Sequence, residues 1–167
     1  MYLIRVTGKD RQPANDKEIQ FSKLDFSFND LLVAIGAYLK DLYWAHTGII
    51  YSFPESLTKE EYNVINTGIS EYTLHIEPDS RVEYMHRGFI EKFGRYIYSD
   101  SIDLAGYEDI ESLKTFVAYL EDISNSKSYV HFRCTDAASW EIYTKNLNII
   151  KLVEDAFSFT EILGTAF

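Results

Sequence analysis

The sequence predicts an α+β fold: a mixed, mostly antiparallel sheet with two main helices, at about 28–46 and 107–124, and short extra helices. Three observations lead there. Several short segments alternate apolar and polar residues with the period of two expected of half-buried strands. Two longer segments repeat apolar residues every three to four positions, as amphipathic helices do. Strand and helix patterns follow one another irregularly, with turn residues spaced for hairpins rather than for repeated βαβ units.

Tyr2 to Thr7 reads as the first strand, and Gly8 to Lys17 as a polar loop with Pro13, Asn15 and Asp16. Ile19 to Phe26 alternates imperfectly and is expected to return as a hairpin partner. Ser27, with Asp30 three residues on, marks a helix start. Phe28, Leu31, Leu32, Ile35, Leu39, Leu42 and Tyr43 then form one face, and Val33, Ala37 and Trp44 a second. A helix apolar on two sides is buried between layers or shared with a partner. The 28–46 segment is therefore the expected central helix, ending near Gly48.

Ile49 to Phe53 is a short apolar run stopped by Pro54. Thr58 and Glu61 form a capping-box signature for a helix to about Asn66, with Gly68 placed to end it. Glu71 to Glu77 alternates as a strand; Arg81 to His86 is its expected partner across the Pro78-Asp79-Ser80 turn. Gly88 to Gly94 reads either way, and Arg95 to Ser99 reads as a strand. In the second main helix Ile110, Leu113, Phe116, Val117, Leu120 and Ile123 share a face. Glu108, Asp109 and Glu111 crowd its first turn, where the helix dipole favours acid. Asn125-Ser126 breaks it; Tyr129 to Cys134 alternates as a strand. Asp136 is placed to cap a short helix through about Lys145. Ile149 to Val153 reads as a last strand, and the apolar tail (Phe157, Phe159, Ile162, Leu163, Phe167) is expected to dock on the body. No linker, repeat or low-complexity stretch divides the 167 residues, so 1–167 is expected to be a single globular domain.

Composition narrows the function classes. The net charge is −10, from 26 acidic and 16 basic residues. Phosphate backbones repel such a chain, which argues against direct nucleic-acid binding, whereas a basic protein partner is attracted. Thirteen Tyr and 11 Phe make the aromatic content high, and a Tyr ring serves cores and interfaces equally well. A single cysteine, Cys134, allows no intramolecular disulfide. The N-terminal segment turns polar by Lys9–Gln12, without the apolar core of a signal peptide. The greasiest stretch, Leu31 to Leu39, is far short of the ~20 residues that span a bilayer. A cytoplasmic location, with no membrane contact, is expected.

The motifs of common chemistries are absent. The chain has no glycine-rich phosphate loop, no dinucleotide fingerprint, no serine-nucleophile elbow and no paired cysteines, and no cofactor or metal is expected. Cys134, just before Asp136, would be activated at a helix N-terminus, but its place on the apolar face with Val130 and Phe132 marks it as inert core. His75 and His131 lie in strand-like segments, each on the face opposite the apolar one. Two histidines on neighbouring strands can serve as acid and base. The layout resembles two-histidine phosphoesterases, but Glu77 and Arg133 stand where that class carries hydroxyl residues, and a glutamate there would repel phosphate.

The remaining feature is acid interleaved with tyrosine. Glu108, Glu111 and Asp122, with Glu121 at the margin, face away from the core stripe of the 107–124 helix, and Tyr107 and Tyr119 lie on or beside that face. Carboxylates pair with Arg and Lys of a partner while rings fill a desolvated centre; a solvated helix face would share the pattern. The favoured expectation is an inhibitor or immunity-type protein that blocks a basic partner such as a toxin nuclease through Tyr107, Glu108, Glu111, Tyr119, Glu121 and Asp122. That is an analogy of composition. The alternatives are a scaffolding subunit that self-associates through Val33, Ala37 and Trp44, and a phosphoesterase-like enzyme using His75 and His131.

Overall fold

The computed structural model describes residues 1–7, 27–76, 81–98, 101–119, 123, 126–135, 139–158 and 160–165. The expected second strand at 19–26 lies outside them. Among the described residues eight strands form one antiparallel sheet beside five helices, so the α+β class is realised. The strands of this sheet are β1 (Tyr2–Thr7), β2 (Tyr43–Thr47), β4 (Thr73–Leu74), β5 (Glu83–Met85), β7 (Ile102–Tyr107), β8 (Val130–Thr135), β9 (Ser139–Thr144) and β10 (Thr160–Thr165). Their spatial order is β10-β1-β9-β8-β7-β2-β5-β4. A separate two-stranded pair joins β3 (Ile50–Tyr51) to β6 (Ile97–Tyr98). The helices are α1 (Phe28–Ile35), α2 (Lys59–Glu71), α3 (Phe89–Phe93), α4 (Ile110–Leu113) and α5 (Leu147–Ala156).

The main core lies on one face of the sheet. Ile4 and Val6 of β1, Trp140 and Ile142 of β9, Phe132 of β8 and Leu104 of β7 point there and meet Phe28, Leu31 and Ile35 of α1 and Ile149 and Val153 of α5. Phe28 stacks on Trp140 and sets its edge against Phe132. A smaller cluster covers part of the opposite face: Leu113 and Phe116 pack on Ala45, Ala105, Tyr107 and Tyr84. Strand β7 is thus buried on both sides. Gly106 within it lets the Trp44 indole lie across the strand, since a Cβ there would stand 3.0 Å from that ring.

Both predicted main helices are much shorter. Ser27 and Asp30 do cap α1, but the helix ends in a 3-10 turn at Gly36–Tyr38. Asp41 then takes a left-handed turn (φ 61), its N–H held by Glu91, and Tyr43–Thr47 becomes strand β2 between β5 and β7. Sheet hydrogen bonds and burial on both strand faces override helical spacing. Val33 and Ala37 are therefore exposed on α1 and its 3-10 turn, while Trp44 is buried on β2. The three do not form one stripe, which removes the surface assigned to a scaffolding interface.

The 107–124 helix is likewise corrected. Tyr107 ends β7, Asp109 caps α4 by accepting the Ser112 N–H, and α4 closes at Leu113. Other boundaries move as well. Thr58 and Glu61 cap α2 as expected, but α2 runs through Gly68, whose missing Cβ leaves room for Phe93. Of the strand expected at 71–77, the described residues 71–76 are strand only in β4. Ser139–Thr144 is a strand paired with both β8 and β1, not a helix capped by Asp136. Ile149 to Val153 is helical within α5, started by Asn146. The C-terminal segment docks as strand β10 on β1. Among the described residues no helix is long and apolar enough to cross a membrane.

Candidate functional site

Cross-strand register builds a charged row on the face opposite the main core. Asp103 of β7 pairs with Arg133 of β8, Arg133 with Glu141 of β9, Glu141 with Arg5 of β1, and Arg5 with Glu161 of β10. Signs alternate across five strands. The closest members are Arg5 and Glu141, with Nη2 2.7 Å and Nε 3.2 Å from the same carboxylate oxygen. Arg5 also reaches Glu161 at 3.8 Å, and Arg133 reaches Asp103 at 3.4 Å. The row sinks inward from exposed Glu161 to fully buried Asp103. Burial works against the charged Glu141 carboxylate, but hydrogen bonds from Arg5 and Tyr143, with the charges of Arg5 and Arg133, outweigh it and hold its carboxyl below the usual range. Burial and the Glu141 charge push the Tyr143 phenol up to about 12.

Asp103 is the junction of the site. Its Oδ1 faces His131 Nε2; its Oδ2 accepts the backbone N–H of Tyr119 and faces Arg133. Burial opposes its charge, yet His131, the Tyr119 N–H and Arg133 together keep its carboxyl below its ordinary value. His131 is only 2% exposed and lies between the Phe116 and Tyr143 rings. Among the described residues its Nδ1 has no hydrogen-bond partner.

The segment after α4 crosses this junction. Leu113 and Phe116 anchor it in the smaller core, and the Asp103 bond ties it down at Tyr119. Tyr119 adopts a left-handed backbone (φ 53), a conformation that costs a non-glycine residue of order 1–3 kcal/mol. The residue is 53% exposed. Such strain persists where surrounding contacts over-determine it, and here they display an aromatic ring beside exposed Val117.

The predicted site residues divide. Glu108 and Glu111 are exposed ahead of Tyr119, with Glu111 paired to Lys114 at 2.7 Å and the Glu108 carbonyl taking a bond from Arg87. Tyr107 is 1% exposed, so it cannot meet a partner; burial raises its phenol pKa to about 12. Glu121 and Asp122 lie outside the described residues. His75 is exposed just beyond β4 at the sheet edge. Three strands separate β4 from β8, about 19 Å at ordinary strand spacing, so His75 and His131 do not converge on one ligand atom. Cys134 is buried on the main-core face. Sequence reasoning missed Asp103, a lone acid between the strand expected at Arg95–Ser99 and the helix expected from 107; only pairing with β8 reveals its role. Among the described residues no group of three His, Cys, Asp or Glu is placed to hold a metal ion. Comparison with known proteins finds no family model, no curated protein and no solved structure that matches this chain.

Proposed function

We propose that the protein binds a basic protein partner and blocks it, as an inhibitor or immunity-type protein would, with a toxin nuclease as the fitting class of partner. The observation that carries this reading is Tyr119. A half-exposed ring on a strained backbone, fastened to a buried carboxylate, is a pre-organised anchor. Glu108 and Glu111 flank the approach with carboxylates, and the net charge of −10 draws a basic surface toward it. The reading shifts the expected contact from a helix face to the segment tied down at Tyr119.

A tagged pull-down from the native host lysate, eluted by rising salt, tests it. One basic protein released sharply by salt is the expected catch. Tyr119→Ala should then weaken that complex by about 2 kcal/mol, roughly thirtyfold. Equal affinity of wild type and Tyr119→Ala for the captured partner overturns the assignment of this surface.

A further inference from the structure

The eight-stranded sheet ends on one side at β10, and among the described residues no strand pairs with its outer edge. Such an edge turns alternate backbone N–H and C=O groups outward, where a further strand can pair with them. We infer that this edge accepts an extended segment of another protein as a ninth strand, with Lys or Arg opposite Glu161 and apolar residues on either side of that cation. Three strands separate β10 from β7, which holds Tyr119 through Asp103, so the inference does not rest on partner binding at Tyr119.

Charge selects the central residue of the added strand. Signs along the row run minus, plus, minus, plus, minus from Asp103 through Arg133, Glu141 and Arg5 to Glu161. The row stops on a carboxylate, so the next position outward favours a cation. Glu161 has capacity for one: its side chain is 58% exposed, and Arg5 lies 3.8 Å from it but 2.7 Å from Glu141. The strand period selects the neighbours. Ile162 pairs with Ile4 and lies on the main-core face at the rim, 50% exposed. Residues beside the added cation point to that same face, where a β-branched apolar side chain covers Ile162.

A bulge limits the length. Between the pairs Ile4–Ile162 and Tyr2–Thr165, β10 carries one residue more than β1, with Gly164 at φ 99. The regular stretch is Thr160–Ile162, so the docked strand is short and its central cation carries much of the selectivity. A second copy of this chain does not supply that cation. Strand β10 reads Thr-Glu-Ile-Leu-Gly-Thr, and the opposite edge strand, β4, is Thr73–Leu74.

The test uses the full ¹⁵N-labelled chain and leaves Tyr119 intact. The probe is a disulfide-closed hairpin peptide whose outer strand reads Thr-Val-Arg-Val-Thr, already extended and so losing little freedom on docking. It should give saturable amide shifts centred on residues 160–163 and slow hydrogen exchange at the outward amides of β10. The same hairpin with Glu in place of Arg should bind about tenfold more weakly. Glu161→Gln, a change at an exposed edge position, should erase that preference while preserving the fold. Equal binding of the two hairpins to the wild type overturns the inference, as does a preference that persists in Glu161→Gln. So do shifts scattered away from β10, or none that saturate at millimolar peptide. Outward amides already protected before peptide is added also overturn it, since the chain itself or a second copy then covers the edge.

Discussion

Two buried histidines on this sheet meet opposite surroundings. His131 faces a carboxylate across β7 and β8, inside a network that includes Arg133 and the Tyr119 N–H. His46 lies on the main-core face of β2, stacked against Phe89 at 6.2 Å between ring centroids. Its Nε2 comes within 3.4 Å of Glu83 without forming a hydrogen bond, and Glu83 itself is mostly solvated. Burial therefore dominates and lowers the His46 pKa to about 4. Between about pH 6.5 and 4 the unfolded chain binds a proton there that the folded chain does not. The His46 contribution is fully present above about pH 6.5 and falls away as pH drops toward 4, a loss of about 3 kcal/mol. Urea denaturation across this range should show that slope in the wild type and a shallower one in His46→Phe. Parallel slopes would mean that His46 protonates freely in the folded state.

At the level of elements, the charged row across β7, β8, β9, β1 and β10 specifies register. A one-residue slip would move every member to the apolar face. Arg5 is its best-connected member, between Glu141 and Glu161. Arg5→Glu places three carboxylates side by side and should destabilise the fold by about 1–2 kcal/mol, since each like-charged cross-strand pair costs several tenths to 1 kcal/mol. Adding Glu141→Arg restores the central pair, though it sets a second guanidinium beside Arg133, so recovery should be partial. Melting temperatures of wild type, single and double variants check this; a double variant no more stable than Arg5→Glu would show that the row contributes packing alone. The row was invisible to sequence reading because its members are spread from position 5 to position 161. What was legible was local: β1, the α1 and α2 caps, and the alternation of β8. What misled was burial on both faces. Strand β7 is buried at every position, and β2 at nearly all, so neither alternates: no element is read over residues 100–106, and Tyr43 and Trp44 of β2 fall by chance at helical intervals after α1. Helix α5 fails the other way, because Ile149 to Val153 is too short for its period to be read and Asn146 was the signal to weigh.

At the scale of the whole molecule, strand order and charge distribution act together. The N-terminal strand sits between the two most C-terminal strands of the sheet, so Arg5, Glu141 and Glu161 meet only once the distant ends of the chain have paired. Asp103 is fixed separately, on β7 between β8 and β2, and it in turn holds Tyr119. Local anchoring and long-range charge should therefore leave separate marks on the kinetics of the proposed complex. The net charge of −10 acts over a Debye length of about 8 Å at physiological salt, so it governs encounter rather than the final contact. Raising salt from about 0.05 to 0.5 M should lower the association rate constant for a basic partner by tenfold or more and leave the dissociation rate nearly unchanged. Tyr119→Ala should do the reverse, speeding dissociation while sparing association, because the ring acts after the surfaces have met. Stopped-flow or surface-plasmon measurements on wild type and variant, at both salts, separate the two effects. If salt changed dissociation as strongly as association, ion pairs rather than the Tyr119 ring would hold the complex together, and the acidic residues before Tyr119 would be its centre.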